Sequence, residues 1–309
     1  MYILFTHIIL WHTGEAAAEV EKKLSYYELD LGLNHVVRKW SEPVSRTANF
    51  LLPVPGGDVW PSGVLICGEN WVSYKHQGHI EIRTAIPRRH NLPPECGVLI
   101  VSGTLHKQKD LFFFLLQSEY GDLYKVIFEY DPNNSKIVTN IIVTVFDTIP
   151  VANNLCITKT GLLFTASEFS NHSLFQFQGI GDPNAVRSER ILDDELNEEL
   201  GDDSLSAARV APLFKASMKL TNLLLTDSVT SLAPITDMIV DDITGMNESK
   251  QIYTLCGRGH QSSMRILKHG VAMSEMAVTD LPGRPVAVWT IKKVCTLLSL
   301  YRDFSLKPN

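Results

Sequence analysis

A chain of 309 residues with 45% hydrophobic content has the apolar surface for one large domain or two ordinary ones, which excludes a wholly disordered polymer. Its net charge of −6 is concentrated in Gly181 to Asp203, where nine acids face Arg187 and Arg190, so that stretch carries −7 and the remainder +1. Near-neutrality elsewhere excludes the basic face of a general nucleic-acid binder, and five cysteines without a CxxC pair exclude a regular disulfide framework.

The chain opens on MYILFTHIILWH, an apolar run without a preceding Lys or Arg and too short to span a bilayer, so it reads neither as a secretory signal nor as a membrane anchor. No other segment approaches membrane-spanning length, and the expectation is a soluble protein of a reducing compartment. Residues 13–25 are rich in Ala and Glu and suit a short helix or a loop. Order is expected from Tyr26, where alternation through Val44 gives two strands joined near Gly32 to Asn34. After a loop crowded with Gly and Pro come four strand-turn-strand units: Gly63 to Lys75, Leu111 to Phe128, Gly161 to Gln178 and Gln251 to Gly270. Between the third and fourth lies the acidic stretch 181–203. There Leu192, Leu196 and Leu200 have helical spacing, but the charge density favours a loop. Strands are expected to resume at Lys219 to Thr226 and Ile235 to Asp241.

The turn glutamates measure the repeat: Glu69 to Glu119 is 50 residues and Glu119 to Glu168 is 49. A period of about 40–50 residues with several strands in each is the signature of a propeller blade. The chain is therefore all-β, a β-propeller resembling WD40 domains without their WD motifs.

Motifs for chemistry are weak. Gly257-x-Gly259-x-x-Ser262 is close to a dinucleotide fingerprint but lies between two strands, so a hairpin turn explains it. His76, His79 and His90 lack the convergent partners of a metal site, and His106, His172 and His260 read as turn histidines. There is no G-x-S-x-G elbow, and the pair Asp241-Asp242 reads as solvated turn acids. Cys67, Cys156 and Cys256 fall on apolar strands and are expected to be buried thiols. No catalytic, cofactor or metal site is expected. Two basic spots remain: Arg88 and Arg89 with Lys107 and Lys109, and Arg258 with Arg265 and Lys268. The first four are the candidates for partner contact, because exposed loops commonly carry binding.

Six segments carry a resemblance: Tyr27 to Val44, Val54 to Cys67, Ile86 to Arg89, Thr104 to Val126, Phe146 to His172 and Cys256 to Gly283. Together they resemble the splicing factor 3b subunit 3 family, which shares its architecture with damaged-DNA-binding protein 1 and the large cleavage-and-polyadenylation subunits. The resemblance implies a non-enzymatic nuclear scaffold of several propellers. Its partners would be the helical-repeat and other subunits of splicing factor 3b within the U2 ribonucleoprotein, with mostly indirect RNA contact and neither membrane nor small-molecule substrate. It also implies domains: an atypical segment 1–25, a partial first propeller 26–273 with an acidic insertion 181–203, and the start of a second propeller with a divergent tail at 274–309. The two ends depart from the family and are expected to reflect truncation or misassigned exons. Four hairpins are too few for a seven-bladed ring, so the chain alone is expected to aggregate. Rival readings are an adaptor of a ubiquitin ligase or DNA repair complex, and a propeller hydrolase, which needs acids, histidines or calcium converging at the ring centre.

Overall fold

The chain begins its described structure earlier than alternation suggested. The computed structural model describes residues 22–30, 32, 35–57, 60–93, 95–108, 111–132, 134–189, 203–242, 250–257, 259, 262–268, 288–291 and 303–306. Strands β1 (Lys22–Asp30) and β2 (His35–Val44) form an antiparallel hairpin running from Lys22 opposite Val44 to Asp30 opposite His35. The strand starts at Lys22 because Leu24 is buried in a cluster with Ala48, Val64, Ile66 and Trp71. Within one element, then, burial extends a ladder beyond its clearest alternation.

Strands β3 (Phe50–Pro53), β4 (Val64–Gly68), β5 (Trp71–Lys75) and β6 (Ile82–Ala85) make an antiparallel meander, each paired with the next. The β4–β5 turn works because Asn70 takes a left-handed φ of 68°, which Asn tolerates better than most residues. Its backbone N–H donates to the Val98 carbonyl and its Oδ1 accepts from the Val98 N–H, both at 2.9 Å. A buried turn is thereby satisfied.

The two-residue β7 (Arg88–Arg89) follows. Next, β8 (Ile100–Gln108), β9 (Leu111–Ser118), β10 (Asp122–Asp131) and β11 (Asn134–Thr148) form a second meander. Its β9–β10 turn requires glycine at 121, where φ is +87° and a Cβ would collide with the Ile149 carbonyl oxygen. Strands β12 (Asn154–Ile157), β13 (Leu162–Ala166) and β14 (His172–Phe177) begin a third sheet, while β15 (Arg187–Ser188) adds to the edge of β11.

A short helix, α1 (Asp203–Val210), buries Ala207 against the cluster around Trp71. It lies at the end of the acidic stretch; Leu192, Leu196 and Leu200 lie outside the described residues. Strand β16 (Leu213–Phe214) pairs in parallel with β7, and β17 (Leu223–Val229) completes the third sheet in the order β12-β13-β14-β17. Then come β18 (Ile235–Asp241), β19 (Gln251–Cys256) and β20 (Ser263–Leu267).

The chain divides into two units, Met1–Met238 with Thr254–Arg265, and Ile239–Tyr253 with Ile266–Asn309. Inside the second, β21 (Val288–Ile291) and β22 (Asp303–Leu306) pair antiparallel.

Adjacent sheets of the first unit pack face to face. Thr84 of β6 donates to the Ile141 carbonyl of β11 at 2.9 Å, and the largest core cluster joins Leu65, Tyr74, Phe114, Tyr124 and Val143 from the first two meanders. Gln117 joins the second sheet to the third: its Oε1 accepts from the Ala152 N–H at 2.8 Å and its Nε2 donates to the Pro150 carbonyl at 3.0 Å. These successive antiparallel sheets are the blades of a β-propeller, and among the described residues of this unit they do not close into a ring.

The cysteines follow strand phase more than strand apolarity. Cys67 and Cys256 are buried as expected, whereas Cys156 is exposed because on β12 it alternates with the inward-facing Leu155.

Candidate interaction surface

The basic residues picked out by sequence occupy three different situations. Parallel pairing with β16 fixes the β7 backbone: the Arg88 N–H donates to the Pro212 carbonyl and the His90 N–H to that of Phe214, both at 2.9 Å. Successive strand side chains point to opposite faces, so the two arginines diverge. Arg88 is buried, and its Nη2 donates to the carbonyls of Pro93 and Cys96 at 2.9 and 2.6 Å.

Arg89 meets the β9–β10 turn. Its Nε and Nη2 donate to the two oxygens of Asp122 at 2.7 and 2.9 Å, and Nη2 also reaches the Tyr120 carbonyl at 2.8 Å. Asp122 is only 1% exposed and accepts a further bond from the Thr148 hydroxyl at 2.7 Å. Hydrogen bonding to this carboxylate holds the Arg89 guanidinium above its ordinary range.

Lys107 sits near the far end of β8, exposed, with Nζ 5.4 Å from the centre of the Trp60 ring. It pairs across the ladder with Phe112, at the opposite end of β9 from the turn that binds Arg89. From Phe112 to Ser118 at the turn β9 runs roughly 20 Å. Lys109 lies outside the described residues. The structure thus brings Arg88 and Arg89 to one end of the second meander and leaves Lys107 at the other.

Histidines are engaged locally. His76 packs edge-to-face on His79 with centroids 4.8 Å apart, and burial lowers its pKa. His172 accepts the Ser167 N–H through Nδ1 at 3.2 Å. Among the described residues no three His, Cys, Asp or Glu side chains cluster as metal ligands.

Two acids that sequence reasoning passed over organise the fold. Besides Asp122, the buried Asp147 accepts from the N–H groups of Thr221, Asn222 and Leu223 and from the Thr221 hydroxyl, all at 2.9 Å. It fastens β11 to the entry of β17. The only sequence signal is the placement of each acid beside strand-forming apolar residues, as in VFDT and GDLY.

Residues 8–229 match the model for the RSE1/DDB1/CPSF1 first beta-propeller. The chain belongs to this family. On the structure, the matched segment runs through β1 to the last residue of β17. It begins ahead of Thr13, so the family pattern takes in part of the opening apolar run as well. Among curated relatives, the chain is 52% identical over 281 residues to spliceosome-associated protein 130 A of Arabidopsis thaliana. It is 45% identical over 284 residues to splicing factor 3B subunit 3 of Drosophila melanogaster, and 47% identical over 291 to pre-mRNA-splicing factor rse1 of Neurospora crassa. Each alignment covers 91% of this chain but only 22–23% of the relative, so the chain spans about a fifth of their length. The family's first propeller therefore contains Arg88, Arg89 and Lys107 within its matched blades.

Proposed function

We propose that this propeller serves pre-mRNA splicing in the nucleus as a non-enzymatic scaffold, binding protein subunits of splicing factor 3b through its loops. The observation that carries the reading is identity of 45–52% across 91% of the chain to proteins named as splicing factors in a plant, a fungus and an insect. Support also comes from the blades: the buried charges described above hold β7, β10 and β11 in place. A rigid sheet scaffold with connecting loops at its ends suits binding more than chemistry.

Lys107, exposed on its strand, and Lys109 are the candidates for partner contact among the four basic residues. Arg88 and Arg89 would act indirectly, by holding the loops at their end of the sheet. The test is to tag the protein at its own locus and recover it from nuclear extract. U2 small nuclear RNA and splicing factor 3b subunits are expected to co-purify, and capture of cullin-ligase subunits in their place would overturn the assignment. Lys107→Glu is expected to reduce subunit capture without altering thermal stability.

A further inference from the structure

Three connections of the first unit meet around a cleft of about 440 Å³: the β13–β14 turn, the segment between β17 and β18, and the start of the β19–β20 hairpin. They are tied to one another. The Gly257 N–H donates to the Pro234 carbonyl at 3.0 Å, and the Ser231 N–H donates to Asn171 Oδ1 at 3.3 Å. Ser231 Oγ in turn accepts from the Ala233 N–H at 3.2 Å. The lining is held by hydrogen bonds between segments far apart in sequence, so its shape exists before any ligand arrives.

The chemistry of the lining is one-sided. Among the described lining residues, Ser170, Ser173, Thr230, Ser231 and Ser263 bring hydroxyls, Arg265 is the one charged side chain, and no acid contributes. Arg265 is exposed, and its Nε donates to Ser263 Oγ at 3.2 Å, which orients the guanidinium. No carboxylate engages it among the described residues. Two other arginines of this unit, Arg89 and Arg83, have acids beside them, Asp122 and Glu81. A guanidinium without an acid, among neutral hydroxyl donors, is complementary to a compact anion with several acceptor oxygens.

We propose that this cleft binds the phosphate of a phosphorylated serine or threonine carried on an extended segment of a protein partner. The volume lies within the ~300–1,000 Å³ typical of ligand sites and exceeds what one phosphate needs, which leaves room for flanking residues. Phe169, exposed on the lining, offers them an apolar contact. A nucleic-acid strand would need cations at successive phosphates, whereas the one cation among the described lining residues matches one dianionic monoester.

The test uses the full chain and fluorescence anisotropy with a labelled Ala-Ala-phosphoserine-Ala-Ala peptide, its unphosphorylated twin and a ten-nucleotide oligouridylate. Saturable binding of the phosphopeptide is expected, at least about tenfold tighter than its twin, with competition by inorganic phosphate. Arg265→Ala should weaken the phosphopeptide about tenfold with partial recovery in Arg265→Lys, and Ser231→Asp should weaken it comparably by repulsion. The proposal is overturned by absence of saturable binding, by equal affinity for the two peptides, or by affinities that neither substitution changes. Tighter binding of the oligouridylate, lost on the same substitutions, would equally overturn it by making the cleft a nucleic-acid site. None of these outcomes bears on the splicing assignment, which rests on separate measurements.

Discussion

Asp122 illustrates how one buried carboxylate constrains its surroundings: nearly inaccessible to water, it depends on Arg89 and Thr148 for its bonds. Removing the guanidinium leaves the charge uncompensated, and breaking such a pair typically costs about 3–5 kcal/mol. Arg89→Ala is therefore expected to lower the unfolding free energy by about 3 kcal/mol in urea denaturation, with part of the loss restored by adding Asp122→Asn. An unchanged midpoint in the single variant would show that the pair does not hold the turn. Lys107→Glu should stay within about 0.5 kcal/mol of the parent, as surface changes usually do. The acid limb belongs to Glu81. Burial alone would raise its pKa, but Arg83 at 3.1 Å and Lys75 at 3.4 Å outweigh that and bring it below the ordinary range. With the folded pKa depressed, the stabilisation is complete above the unfolded value of about 4.3 and is lost as pH falls through the lower folded one. The melting temperature should fall as pH drops below about 4.3, less steeply in Glu81→Gln. Parallel pH profiles for the two proteins would remove Glu81 from this account.

Strand burial is uneven, and it grades along the sheets. All of β4 and nearly all of β5 are buried on both faces, as are most of β9 and the first turn-side residues of β10, Asp122 to Tyr124. In β13 and β14 burial alternates, and in β17 only Leu223 is buried. Amides whose opening requires global unfolding sit where packing covers both faces. Hydrogen exchange should accordingly be slowest in β4, β5, β9 and β10 and fastest in β17 and β20; comparable protection throughout would contradict the gradient. The same gradient explains what sequence could show. VLICG and LFFFLLQ announce doubly covered strands by unbroken apolar runs, and β18 falls on the residues expected of it, Ile235 to Asp241. The two-residue pair β7 and β16 carries no local signal, since each strand is defined by a partner more than a hundred residues away. For the same reason Arg88 and Arg89 read from sequence as surface charge: their partners lie in other turns, and Asp122 is 33 residues downstream. The cleft at Arg265 is likewise a product of three distant loops, although its hairpin glycines were visible as a near-miss fingerprint.

At the level of the molecule, the first unit combines a densely packed set of blades with sheet surface that nothing covers among the described residues. Leu224, Leu225 and Val229 of β17, Ile235 and Met238 of β18, Leu255 of β19 and Met264 of β20 are each about half exposed or more. Leu224 and Leu225 are neighbours and so point to opposite faces, which leaves both faces of β17 open. Among the described residues it is also the edge of its sheet, and the backbone groups of an edge can pair with another chain. Apolar faces beside an unprotected edge favour association by burial of surface and by strand pairing together. The chain studied alone is therefore expected to show a weight-average sedimentation coefficient that rises with concentration. Placing Lys at both Leu225 and Val229 should lower that slope, because charge on an edge strand opposes pairing. Those two positions do not line the Arg265 cleft, so the double variant should still bind the phosphopeptide. A parent chain that sediments as a single monomer across the concentration range would show that this exposed surface does not drive association.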